Sequence, residues 1–438
     1  MQPTVLRLVF PLCLLAGSIR AADFTWTGAV SSDWSNPANW SPAGVPGAGD
    51  RVTYPSGKPT LSLNGDRTVA GFAQAGGILV GPGQLTVTGS ATWSGGTLRD
   101  GCVLLIPTNA FWTITGSAAY SLLDATVRIG GVARWESTVN IGGGLGALLE
   151  ILPGGVFEIR NNEGFYHTYS GAAPTFRNAG TVRKQESTGV SNIGVPFHNE
   201  GEVVVLSGTL RLTRGGSSPG RYLADAPGVF DFGGGTHELS STAIWQGNGT
   251  FRVTSGTVNL AGACELTGNA IISGGTLNFT GTNGRIARLE LVSGTLTGGG
   301  RLEFGDTLNW SGGTLSGLGE LVIAAGGRLV LSGTGGRTLR GGRVVRVAGE
   351  AVWEGAGNLS SGEGARVVIE AGGQWVLGTD ADFLFNWGGE RPVVQNAGRV
   401  RKSGGAGTSV FSGVAFQNAG TLAVESGVLR LTGGGGGA

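Results

Sequence analysis

The chain has 438 residues, of which 86 are glycine, against an average usage of about 7%. Only 13% are charged and the formal net charge is +1, which argues against charge-driven disorder and against nucleic acid or anionic membrane as partners. With 15 prolines and no glycine at every third position, collagen is excluded as well.

Residues Met1–Ala22 read as a secretory leader, with Arg7 as the positive flank and Leu8 to Gly17 as an apolar stretch too short to span a bilayer. No later run is long and apolar enough for a transmembrane helix. The expected location is therefore extracellular or at the cell surface. Cys102 and Cys264 are expected to be small buried residues, many coils apart and out of disulfide reach.

Residues 23–60 differ from the rest of the chain. Trp26, Trp34 and Trp40 fall within 15 residues of one another, among Asn-Pro and Pro-Gly turn signals. We expect a compact aromatic cap on the first coil. The competing reading is a carbohydrate site, because exposed indoles suit sugar rings.

Residues 61–438 repeat at two scales. A Ser-Gly-(Gly)-Thr-Leu phrase recurs at Ser94, Ser207, Ser255, Ser273, Ser293 and Ser311, at a spacing of about 20 residues in the central stretch. Short alternating runs adjoin it, such as Thr209-Leu210-Arg211-Leu212-Thr213, which puts Leu210 and Leu212 on one face of a strand. Strand, glycine corner, strand, glycine corner is the pattern of a β-solenoid. At about 20 residues per coil the chain should form about 17 to 18 coils and a rod about 80 Å long.

At the longer scale the chain duplicates itself. Trp93-Ser94-Gly95-Gly96-Thr97-Leu98 returns at Trp310 to Leu315, Trp135-Glu136 at Trp353-Glu354, and Asn178 to Lys184 at Asn396 to Lys402, offsets of 217 to 218 residues. One full unit covers about residues 91–307 and a partial second copy about 308–438. The second copy stops partway through a unit, which suggests a C-terminal continuation or a partner that covers the last edge.

The phrase Trp-x-Gly, Asp-Trp-x-x-Pro-x-Asn-Trp, Val-Pro-x-x-Gly-Asp, from Trp26 to Asp50, resembles the start of large bacterial secreted or cell-surface proteins with Gly-rich coils, similar to autotransporter passengers and filamentous-haemagglutinin-like repeats. That resemblance implies an all-β, right-handed parallel β-helix. It also implies a surface scaffold or adhesin with no catalytic residues to carry over.

Chemistry is sparse. The three histidines, His167, His198 and His237, form no His-Glu-x-x-His motif, and neither a Cys/His metal spacing nor a nucleotide-binding loop is present, so no cofactor is expected. Glu136 and Glu354 recur in both units and are expected to be solvent-facing. The most distinctive stretch contains Phe165, His167 and Tyr169, which align with Phe383, Phe385 and Trp387; Arg183-Lys184 and Arg401-Lys402 follow downstream.

In strand conformation each aromatic set would line one face. With the cations it could form two equivalent patches for a cell-surface or extracellular polysaccharide. The other reading is an inward aromatic ladder with solvated Arg-Lys pairs. The leading expectation is a non-catalytic extracellular or cell-surface scaffold or adhesin; the alternative is a glycan-binding or polysaccharide-active (lyase- or hydrolase-like) β-helix protein.

Overall fold

A computed structural model describes residues 21–437; all but the last two residues of the expected leader lie outside them. The described chain is a parallel β-solenoid of many turns. Each coil contributes one strand to each of three ladders. The first ladder passes through eighteen successive parallel pairings, from Asp23–Trp26 to Ala415–Asn418.

Strand alternation builds the core. In Val132–Trp135, Ala133 and Trp135 point inward, while Arg134 points outward to Glu158 one coil on. Side chains of like kind stack from coil to coil inside the tube. The Trp135 and Phe157 rings lie 6.2 Å apart, and the corresponding Trp353 and Trp375 rings also lie 6.2 Å apart. Cys102 and Cys264 are buried free thiols, and burial pushes the Cys102 thiol up to about 12.

Many corners carry glycine because the coils touch there. A Cβ on Gly180 would collide with the Gly155 carbonyl, one on Gly201 with that of Gly180, and one on Gly420 with that of Gly398. These three have no positive φ. Room for the backbone of the coil beneath, rather than a left-handed conformation, is what they provide. The asparagines two residues earlier stack in the same corners: Asn178 Nδ2 donates to Asn199 Oδ1, and Asn396 Nδ2 to Asn418 Oδ1, each at 2.7 Å.

At the N-terminal end Asp23–Trp26 pairs antiparallel with Trp40–Ser41 and parallel with Arg51–Tyr54. Trp26, Trp34 and Trp40 are buried, with Trp40 meeting the other two edge-on at 4.9 and 4.8 Å. Trp40 Nε1 donates to the Trp34 carbonyl and Trp26 Nε1 to that of Pro59. Asn39, itself buried, accepts from Val30 N and Ser31 N and ties the loop shut. The carbohydrate-site reading of this cluster is therefore corrected: these indoles form a buried aromatic cluster, and their faces are used up in packing.

The sequence repeat and the coil repeat do not coincide. The segment Ser90–Trp93 lies in the first ladder, and ten coils further along that ladder stands Arg301–Phe304. The sequence equivalent of Trp93, however, is Trp310, which lies in the second ladder. The strand that begins at Gly96 is in the second ladder, and its equivalent at Gly313 is in the third.

Coil lengths confirm the shift. From Gly96 the second ladder steps to Tyr120, Ile141, Phe165 and Ile193, intervals of 24, 21, 24 and 28 residues. From Gly313 the third ladder steps to Arg337, Leu359, Phe383 and Phe411, intervals of 24, 22, 24 and 28. The repeating unit is thus ten coils plus one strand, and the second copy is turned by one ladder about the rod axis.

Candidate functional site

The ten candidate residues separate into three groups. Phe165 and Phe383 point into the core, at 1% and 0% exposure, and meet buried aromatics edge-on: Phe165 against Phe176, and Phe383 against Trp375 and Phe411. The expectation of three aromatics on one strand face is corrected here. His167 ends its strand, Gly164–His167, and Tyr169 lies beyond it, so strand alternation no longer governs them. His167, Tyr169 and Trp387 are exposed, and Phe385 is half-buried.

Lys184 and Lys402 are fully buried, which corrects the solvated Arg-Lys reading for the lysines. Lys184 Nζ donates to the Asn161 carbonyl at 2.6 Å and to Ser187 Oγ, and Ser191 Oγ binds the same carbonyl at 2.6 Å. In the second copy Lys402 Nζ and Ser409 Oγ converge on the Thr379 carbonyl at 3.1 and 2.9 Å. The two lysines thus clasp equivalent turns. Lys402 also has a carboxylate partner, Asp380, at 2.7 Å, where the first copy has Asn162. Burial without a carboxylate pulls the Lys184 ammonium down to about 8, and the Lys402 bond holds the Asp380 carboxyl below its usual range.

Arg183 and Arg401 remain at the surface, each paired with a carboxylate. Arg183 reaches Glu158 at 3.6 Å and Arg401 reaches Glu425 at 3.1 Å. Glu158 is also bound by Arg134 at 3.0 Å and Arg160 at 2.7 Å, and Arg160 reaches Glu136 at 3.6 Å. These cations stitch one coil to the next.

What remains outside is a pair of loops in the longest coils, Thr168–Pro174 and Asn386–Pro392. They are held by the same hydrogen bonds. The Gly143 carbonyl accepts from Thr168 N and Tyr169 N at 3.0 and 3.2 Å, and the Ser361 carbonyl from Asn386 N and Trp387 N at 3.0 and 3.2 Å. Leu145 N donates to Ser170 O and Glu363 N to Gly388 O. Leu145 and Glu363 share a left-handed backbone, with φ of 53° and 54°.

Each loop folds back across the wall of the solenoid. A Cβ on Gly144 would come 2.7 Å from Tyr169 Cβ, and one on Gly362 would come 2.7 Å from Trp387 Cβ. Glycine at these equivalent positions makes room for the aromatic residue. Two coils back the rings find different anchors: Tyr169 Oη bonds Ser121 Oγ at 2.7 Å, whereas the Arg340 guanidinium lies 4.7 Å from the Trp387 ring centre. Tyr169 keeps 42% exposure and Trp387 47%. The sequence reading did not find Ser121 or Arg340, because no repeat aligns them; Gly144 and Gly362 were detectable from their offset of 218.

Among the described residues no group of three or more His, Cys, Asp or Glu side chains is placed to hold a metal ion, and no helix is long and apolar enough to cross a membrane. No protein-family model, no curated protein and no solved structure matches the chain. The fold itself is a parallel β-solenoid, an architecture consistent with bacterial secreted and surface repeat proteins and not specific to them.

Proposed function

We propose that the chain is a non-catalytic extracellular or cell-surface scaffold, a stiff rod that displays short loops along its sides. The observation that carries this reading is how the outward charges are used. Glu158 is held by Arg134, Arg160 and Arg183, Asp231 by Arg211 at 2.7 Å, and Glu320 and Glu370 by Arg346 at 2.7 and 2.6 Å. A catalytic acid or base needs a carboxylate free to exchange protons with a substrate. Here these carboxylates neutralise arginines on their own or neighbouring coils and keep like charges from stacking into repelling ladders. Their role is to hold the coils together.

Two measurements test the proposal. Incubation of the protein with pectin, alginate and neutral glucans should release no new reducing ends or unsaturated products; turnover above that of a heat-killed control would replace the scaffold reading with an enzymatic one. Protease added to intact producing cells should cleave the protein while it spares a cytoplasmic marker, and complete protection would rule out surface display.

A further inference from the structure

Tyr169 and Trp387 occupy the same loop position in both copies, and neither ring is packed in the core. The loops match in hydrogen bonding and each aromatic residue lies over an equivalent glycine, yet the two anchors, a serine hydroxyl and a guanidinium, are chemically unrelated. What the copies share is an aromatic ring held in place and left about half exposed. Leaving that apolar area in water forgoes burial free energy, which a ligand that covers the ring would recover.

The loop composition indicates the kind of ligand. Thr168–Pro174 contains no charged residue, and Asn386–Pro392 contains one of each sign, Glu390 and Arg391. Arg340 beside Trp387 is paired with Glu363 at 3.7 Å, so neither platform presents an unbalanced charge and a neutral partner with C–H faces fits both loops. We infer that Tyr169 and Trp387 are stacking platforms for a neutral polysaccharide. The inference relies on the scaffold reading for its extracellular setting. Because the second copy is turned by one ladder, the two platforms sit on neighbouring faces of the rod, about 50 Å apart along it at about 4.8 Å per coil. A short oligosaccharide can occupy only one platform. A long chain that crosses from one face to the next, or two chains on adjacent sides, engages both.

The test uses the full chain in sedimentation with insoluble cellulose, chitin and starch granules, with alginate gel as the acidic comparison. Retention on at least one neutral polymer is expected. Tyr169→Ala and Trp387→Ala should each weaken it about tenfold, and the double variant should lose it. Tyr169→Phe, which keeps the ring and loses the Ser121 bond, should still bind. Phe111→Ala, at an exposed aromatic with no counterpart in the second copy, should leave retention unchanged.

A soluble hexasaccharide of the retained polymer should titrate to two sites, one of which is lost in each single variant. Three results would overturn the inference: no retention on any neutral polymer, retention that survives in the double variant, or equal loss with Phe111→Ala, which would mark general stickiness. Failure here is separable from failure of the scaffold reading, since the latter is read from product release and protease access and the former from sedimentation.

Discussion

The two copies of the repeat are an internal comparison in which the backbone is held nearly constant and side chains have changed. Where a turn carbonyl needs a donor, the donor changes and the bond stays: Tyr120 Oη serves the Thr115 carbonyl in the first copy, and Arg337 Nη2 serves the equivalent Ser332 carbonyl in the second. Where charges form a network, its centre is replaced while Glu136 and Arg183 at its rim return as Glu354 and Arg401. Arg134, Glu158 and Arg160 correspond to Val352, Val376 and Gly378, so the second copy has neither the buried carboxylate nor two of its arginines. The coils accommodate either centre, and the buried carboxylate leaves together with the two arginines nearest it, since a buried charge without its partner costs more than no charge at all.

The largest effect expected from probing this comparison is in the core. Trp135→Ala and Trp353→Ala should each cost about 3 to 5 kcal/mol and loosen their own copy more than the other, because a solenoid coil contacts only its neighbours. Hydrogen exchange read peptide by peptide would show this, and uniform loosening of both copies would contradict it. Gly180→Val and Gly398→Val should cost about 3 kcal/mol each, in equal measure, since both side chains would meet the backbone of the coil beneath. A benign result in either copy would mean that the corner can open.

Glu158→Val alone should cost about 2 kcal/mol, because it leaves Arg134 and Arg183 without a carboxylate and Arg160 with only the outer partners Glu136 and Glu186. The triple change Arg134→Val, Glu158→Val, Arg160→Gly writes the second copy into the first and should cost less than the single one, as judged by urea denaturation. The smallest effect concerns the lysine clasp. Asn162 Oδ1 already accepts from Gly189 N at 2.9 Å, as Asp380 Oδ2 does from Gly407 N at 3.0 Å, so Asn162→Asp should fit without rearrangement. It should stabilise the first copy by about 1 kcal/mol near neutral pH.

The same substitution should also remove a pH dependence. The Lys184 ammonium falls from 10.5 to about 8 on folding, so between these values the unfolded chain holds a proton that the folded chain has released. Local stability around Lys184 should therefore rise between about pH 8 and 10.5 in the wild type and flatten in Asn162→Asp. Hydrogen exchange of the Lys184 segment across that range reads the difference, and a flat wild-type profile would contradict it.

Much of this molecule was legible from its residues. The period of about 20, the alternation in runs such as Thr209 to Thr213 and the recurring glycines led to the solenoid, because each feature repeats often enough to exceed chance. The candidate site was legible only in part. Phe165 and Phe383 follow alternation and point inward, but Tyr169 and Trp387 stand past the last paired residue, where a period of two carries no information. The lysines misled for a related reason. Lys184 ends a strand on its inward side, where the Asn161 carbonyl and the Ser187 hydroxyl give the ammonium acceptors that no local pattern reveals.

By itself the sequence determined that the chain coils, where its corners fall, which positions recur at 218 residues and that its net charge is close to zero. Only the tertiary structure decided which way each recurrence faces. Ten coils and one strand make up the unit, and a residue offset cannot expose that remainder, because all three ladders follow the same inward-outward alternation and a strand moved to the next ladder keeps its pattern. Pairing with the coil beneath assigns the ladder, and so it sets Tyr169 and Trp387 on neighbouring faces of the rod.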